Sequence, residues 1–185
     1  MKEGKAMSTN TQTQTISSTR NTTKTLVINA LFIALTLVAT FINVTIPFMG
    51  MGNGALAHLG NIPLFIAAII YGKKTGALAG AFGMGMFDLV SGWAMWAPFT
   101  FVIVGAMGFM VGLITEKLHI KPVVVNTIAI IVALIIKVVG YYFAEVILYG
   151  NWIVPLGSIP ANVLQVVVAA IVVLPIVERL KKLAI

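Results

Sequence analysis

The sequence predicts an all-α polytopic membrane protein of six transmembrane helices. Three observations carry this reading. First, 59% of the 185 residues are hydrophobic and only 9% are charged, against about 25% charged in a typical soluble domain. Second, several apolar runs approach the roughly 20 residues that cross a bilayer. Third, the basic residues sit at the ends of those runs and not in one patch, so the net charge of +7 reads as topology and not as a nucleic-acid surface. There are no cysteines, which excludes disulfides and thiolate metal sites.

Residues 1–24 are rich in Ser, Thr, Asn and Gln and lack aromatics. They are expected to form a disordered tail ahead of a membrane domain spanning 25–185. Helix 1 is expected over Thr25–Thr45. That run is too long for a signal-peptide core, and no clean cleavage site follows it. The loop Asn43–Asn61 contains four glycines and one proline, with no charged residue apart from neutral His58. Helix 2, about Ile62–Tyr71, opens with Pro63 in its first turn. It covers only about half a membrane at ~1.5 Å per residue, so the preceding loop must lie within membrane depth. Short Gly/Pro-interrupted segments of this kind point to a binding site.

Helix 3, about Thr75–Ser91, follows the Gly72-Lys73-Lys74 turn. Helix 4 is about Ala97–Thr115, and Glu116–Lys121 is a charged turn. Helix 5 is about Pro122–Tyr149. A second Gly/Pro-rich loop, Gly150–Ala161, leads into helix 6, about Asn162–Leu180, where Pro175 is expected to kink the last turns. No internal repeat stands out. Lys2, Lys5, Arg20 and Lys24, then Lys73 and Lys74, then Lys117 and Lys121, then Arg179, Lys181 and Lys182 all fall on one side of a six-span chain. Positive residues mark the cytoplasm, so both termini are placed there.

Asp88, Lys137 and Glu145 are ionisable residues inside predicted spans. Each costs at least about 2.5–3.5 kcal/mol to insert unpaired. Lys137, Tyr141 and Glu145 follow an i, i+4, i+8 spacing and share one helix face. Either Asp88 and Lys137 line a cavity, or they form an ion pair holding helices 3 and 5 together. Glu145 stands either with them or at the outer interface. Trp93, Trp96, Tyr142, Tyr149 and Trp152 map near outer helix ends. That is where interfacial aromatics gather, but Trp96, Tyr142 or Trp152 could equally stack on a planar ligand.

Asn162 and Gln165 share a face at the start of helix 6. They offer amide donors and acceptors to a ligand, or else a helix cap and an interhelical hydrogen bond. Asn53 and His58 are polar candidates in the first outer loop. Small residues recur every four positions at Gly72, Gly76 and Gly80, at Ala79 and Gly83, and at Gly108 and Gly112, a pattern that lets helices approach closely. Ala30 and Ala34 form a weaker row on helix 1. There is no phosphate-binding GxxxxGK loop and no nucleophile–base–acid set. No enzyme activity, cofactor or metal is expected, and any ATP-driven work falls to a partner.

The segments HLGNIPLFIAAIIYGKKTGALAGAFG, FDLVSGWAMWAPFTFVIVGAMGFMVG and IPANVLQ resemble the substrate-binding S components of energy-coupling factor (ECF) vitamin transporters. The resemblance runs from about Thr25 to the C-terminus and is greatest to the hydroxymethylpyrimidine-type group. It implies a six-helix bacterial cell-membrane protein that binds a vitamin or precursor from outside. It also implies a transmembrane coupling subunit and two ATPase subunits as partners. Ala30 and Ala34 match the family's Ala-x-x-x-Ala motif facing the coupling subunit. The ligand pocket is implied in the outer half, under the Asn43–Asn61 loop.

Asp88, Trp96, Lys137, Tyr141, Tyr142, Asn162, Gln165, Asn53 and His58 are therefore the candidate substrate-binding residues. A pyrimidine or pyridine such as hydroxymethylpyrimidine or pyridoxine suits stacking plus an acid. Pantothenate, with its carboxylate on Lys137, is the main alternative. A stand-alone secondary transporter of a small polar solute is the rival class.

Overall fold

The computed structural model describes residues 3–46 and 55–184. Among the described residues six α-helices form the bundle: α1 (Glu3–Phe41), α2 (Asn61–Tyr71), α3 (Lys73–Val90), α4 (Ala97–Lys117), α5 (Pro122–Tyr149) and α6 (Ile159–Ala184). A two-stranded antiparallel hairpin, β1 (Asn43–Ile46) and β2 (Ala55–His58), joins α1 to α2, with Asn43 opposite His58 and Ile46 opposite Ala55. A 3-10 turn, Val154–Ser158, leads into α6.

Two boundaries differ from the sequence expectation. Helix α1 runs back to Glu3, through the polar stretch expected to be disordered, although its apolar portion begins only at Thr22. No proline follows Glu3 in this stretch, so a helix nucleated in the apolar part adds one hydrogen bond for each further residue fixed. At its other end α1 stops at Phe41 and not at Thr45. The Asn43 amide turns back onto the carbonyls of Thr40 and Phe41, at 3.0 and 3.1 Å. The β-branched run Val44-Thr45-Ile46 then suits a strand better than another helical turn.

Among the described residues, four helical stretches are long and apolar enough to cross a membrane: Thr22–Phe41, Ala97–Lys117, Pro122–Tyr149 and Val154–Ala184. Helix α2 has 11 residues, about half the length of a crossing. Helix α3 has 18 residues and carries Lys73, Lys74 and Asp88. Helix α6 continues through Pro175.

The glycine rows pack helices inside the molecule. A Cβ added at Gly76 would come within 2.7 Å of the Gly108 carbonyl, and one at Gly80 within 2.5 Å of the Val104 carbonyl. Helices α3 and α4 thus touch backbone to backbone, which only glycine permits. A Cβ added at Gly83 would meet the Thr36 side chain of α1 at 2.5 Å, so this glycine lets that side chain seat against α3. Around this contact Leu64, Phe65, Met84, Val104, Met107, Ala133 and Val173 form the apolar core.

At one end of the bundle Glu116 of α4 receives both the backbone N–H (2.9 Å) and the ammonium (2.7 Å) of Lys73. The Asn126 amide of α5 donates to Glu178 of α6 at 2.8 Å at the same end. The hairpin, the α3–α4 turn and the α5–α6 connection gather at the opposite end.

Candidate functional site

The end of the bundle that bears the hairpin encloses a cavity of about 90 Å³. Five parts of the chain supply its walls. The hairpin supplies Leu56 and His58; α3 and the turn after it supply Asp88, Trp93 and Trp96; α4 supplies Thr100. The α5 stripe supplies Lys137, Tyr141, Glu145 and Tyr149, and the 3-10 turn with the start of α6 supplies Ser158, Ala161, Asn162 and Gln165. Spacing by four puts all four α5 residues on one helix face.

The polar side chains are deeply buried. Lys137 is 1% exposed, Glu145 4%, Gln165 6% and Asp88 9%. The Lys137 ammonium donates to Gln165 Oε1 at 2.8 Å and lies 5.5 Å from the Tyr141 ring centroid. Gln165 Nε2 in turn donates to the backbone carbonyl of Leu56. The Ser158 hydroxyl donates to Glu145 at 2.7 Å. The hydroxyls of Thr100 and Tyr141 share a hydrogen bond at 3.0 Å. Asp88 lies beside the Thr100 hydroxyl and within the field of Lys137, yet no ion pair joins Asp88 to Lys137 among the described residues.

Trp96 leans on two tyrosines. Its ring centroid is 6.4 Å from that of Tyr141 and 5.9 Å from that of Tyr149. The turn that presents it is closed by hydrogen bonds from Trp93 N–H to the Asp88 carbonyl and from Trp96 N–H to the Trp93 carbonyl. His58 Nδ1 accepts the Gly60 N–H at 3.2 Å. That bond holds the ring as the neutral tautomer protonated on Nε2.

The cavity brings together Asp88, Trp96, Lys137, Tyr141, Asn162, Gln165 and His58 of the sequence candidates. Tyr142 is not among the residues that line the cavity. Its hydroxyl donates to the Trp152 carbonyl at 2.9 Å, and its ring packs on Phe143, away from the cavity lining. Consecutive helix residues point about 100° apart, and on α5 that rotation turns Tyr142 away while Tyr141 faces the cavity. Trp152, weighed as a stacking residue, is 63% exposed and packs edge-on against Phe143. Asn53 falls outside the described residues.

Asn162 caps no helix end, because α6 begins at Ile159; its amide donates to the Ser158 carbonyl at 3.3 Å. Residues absent from the candidate set also line the cavity, namely Trp93, Thr100, Glu145, Tyr149, Ser158, Ala161 and Leu56. The i, i+4, i+8, i+12 series from Lys137 was a signal for Glu145 and Tyr149. Ser158 and Leu56 sit in irregular or strand segments with no such periodicity. Ala30 and Ala34 lie elsewhere, exposed on the outer face of α1.

Comparison with known proteins places this geometry in a family. The family model for the S component of the ECF-type riboflavin transporter matches residues 20–182. The thiamine precursor transporter HmpT of Lactococcus lactis subsp. cremoris (strain MG1363) is 27% identical over 159 residues, covering 84% of this chain and 89% of the relative. An uncharacterized protein of Pyrococcus woesei is 27% identical over 118 residues, covering 63% of this chain and 74% of the relative. A solved S component of a bacterial ECF transporter shares the fold with a TM-score of 0.68 and 22% identity, over 88% of this chain and 98% of that one. The chain belongs to the family of ECF transporter S components, membrane proteins that serve as transporter subunits and not as enzymes.

Proposed function

We propose that this S component captures a small, single-ring thiamine precursor of the hydroxymethylpyrimidine type from outside the cell and delivers it through an ATP-driven importer. The observation that carries the reading is the cavity itself, about 90 Å³ walled by Trp93, Trp96 and Tyr141 with Asp88, Lys137 and Glu145 around it. Pockets for drug-sized ligands measure about 300–1,000 Å³. A single pyrimidine ring suits this smaller space better than a tricyclic ring such as that of riboflavin.

Charge supports the same choice. Two carboxyl groups, Asp88 and Glu145, line the cavity with a single amino group, Lys137. A neutral or protonated aminopyrimidine is compatible with that balance. Pantothenate brings a further carboxylate and is disfavoured. The ring stacks against Trp96 while its exocyclic amine donates to a carboxylate and a ring nitrogen accepts from Lys137. The kinship with a thiamine precursor transporter agrees with this assignment.

The remaining parts follow from orientation. Lys73, Lys74, Lys117, Lys121, Lys181 and Lys182 cluster at the end opposite the cavity. In a bacterial cell membrane the positive end faces the cytoplasm, so the cavity faces outward and both termini lie on the cytoplasmic side. Residues 25–185 form the substrate-binding domain. Ala30 and Ala34, exposed on α1, suit close approach by a helix of the coupling subunit, with two ATPase subunits behind it.

Equilibrium binding to the purified protein tests the ligand. Hydroxymethylpyrimidine is expected to bind at least tenfold more tightly than pyridoxine or pantothenate, a difference of about 1.4 kcal/mol. Tighter binding of pantothenate would overturn the reading.

A further inference from the structure

Gln165 stands between two groups of opposite hydrogen-bonding character. Its Oε1 accepts from the Lys137 ammonium at 2.8 Å, and its Nε2 donates to the Leu56 carbonyl. An ammonium can only donate and a backbone carbonyl can only accept, so one orientation of the amide satisfies both. A single side chain thereby joins α5, α6 and β2. The hairpin has need of such a tie. Among the described residues it is a two-stranded sheet pairing β1 with β2, and isolated two-stranded hairpins are marginally stable at best. The nearby bond from Leu59 N–H to the Ile42 carbonyl only closes its base.

We infer that Gln165 is a positioning residue that seats β2 on the cavity and makes that seating depend on the Lys137 ammonium. Lys137 holds the Gln165 amide in the orientation that Leu56 requires. The ammonium has three donors and spends one on Gln165, so acceptors entering the cavity meet a cation already linked to the strand above them. Any ligand that draws on Lys137 acts on the group that holds β2.

Hydrogen exchange of the full-length protein in lipid nanodiscs, with no ligand added, tests this independently of what the cavity binds. Gln165→Met removes both bonds. Gln165→Glu keeps the Lys137 pairing but sets a carboxylate oxygen against the Leu56 carbonyl. Lys137→Met removes only the far partner; no hydrogen bond joins Lys137 to β2 among the described residues. Amides of 55–58 are expected to exchange about tenfold faster in all three variants, as the loss of one hydrogen bond allows. They are expected to keep their native rate in Val167→Ala, a control on the exposed face of α6. Native β2 exchange in Gln165→Met or in Lys137→Met would overturn the inference. Should Gln165→Met lose protection throughout the helices, Gln165→Glu decides, with native β2 exchange again overturning it.

Discussion

Lys137 Nζ donates to Gln165 Oε1 at 2.8 Å, while Asp88, across the same cavity, makes no ion pair with it among the described residues. Buried opposite charges are usually paired, because their mutual attraction offsets part of the cost of desolvating them. Here they are held apart, and the space between them is the cavity. A ligand with donors on one edge and acceptors on the other can bridge both groups.

Removing either charge should therefore weaken binding more than it damages the fold. Asp88→Asn and Lys137→Met are each expected to lower hydroxymethylpyrimidine affinity by about 10–100-fold, the range for a hydrogen bond to a charged group. Calorimetry gives the affinity, and a cooperative thermal melt shows that each variant remains folded. Native affinity in both variants would remove Asp88 and Lys137 from the site.

The aromatic wall makes a contrast within one class of residue. Trp96 packs against Tyr141 and Tyr149 at the cavity, whereas Tyr142 points to the Trp152 carbonyl. Trp96→Ala is expected to weaken binding about tenfold or more, since stacking adds about 0.5–1.5 kcal/mol to the burial lost with the ring. Tyr142→Phe is expected to stay within about twofold, as substitutions away from a site usually do. Intrinsic fluorescence titration measures both.

The α3–α4 contact gives a prediction about stability alone. A Cβ at Gly108 would run into the Gly76 carbonyl. Gly108→Ala forces the two helices apart and is expected to cost about 1–3 kcal/mol, as overpacking commonly does. A lowered melting temperature in detergent, with binding retained in the folded fraction, is the expected result.

The Lys73–Glu116 pair should contribute little by comparison. Its side chains are 31% and 38% exposed, and exposed pairs contribute about 0–1 kcal/mol. Glu116→Gln keeps an acceptor for the Lys73 N–H and is expected to shift the melting temperature only slightly. The small difference from the native protein should shrink further at high salt.

Much of this was legible in the sequence because membranes simplify the physics. Charge is so expensive in hydrocarbon that Asp88 and Lys137 announce themselves inside apolar runs. Helical periodicity then places Tyr141 beside Lys137, and paired amides at Asn162 and Gln165 mark the start of α6. Other features depend on tertiary geometry. The choice between Tyr141 and Tyr142 rests on a rotation of about 100° that composition does not fix. The role of Glu145 rests on a Ser158 hydroxyl that arrives from an irregular turn. The β2 strand that reaches Gln165 comes from a glycine-rich loop with no strand periodicity. The bond it makes uses a backbone carbonyl, which carries no trace in the identity of Leu56.

The central claim is that this chain holds a small heteroaromatic vitamin precursor in the Asp88–Lys137 cavity. Native mass spectrometry of the protein purified from cells supplied with hydroxymethylpyrimidine tests it most directly. The expected spectrum shows one bound molecule with the mass of hydroxymethylpyrimidine per chain, lost in Lys137→Met. A spectrum of ligand-free protein alone, or of a bound carboxylate such as pantothenate, would contradict it.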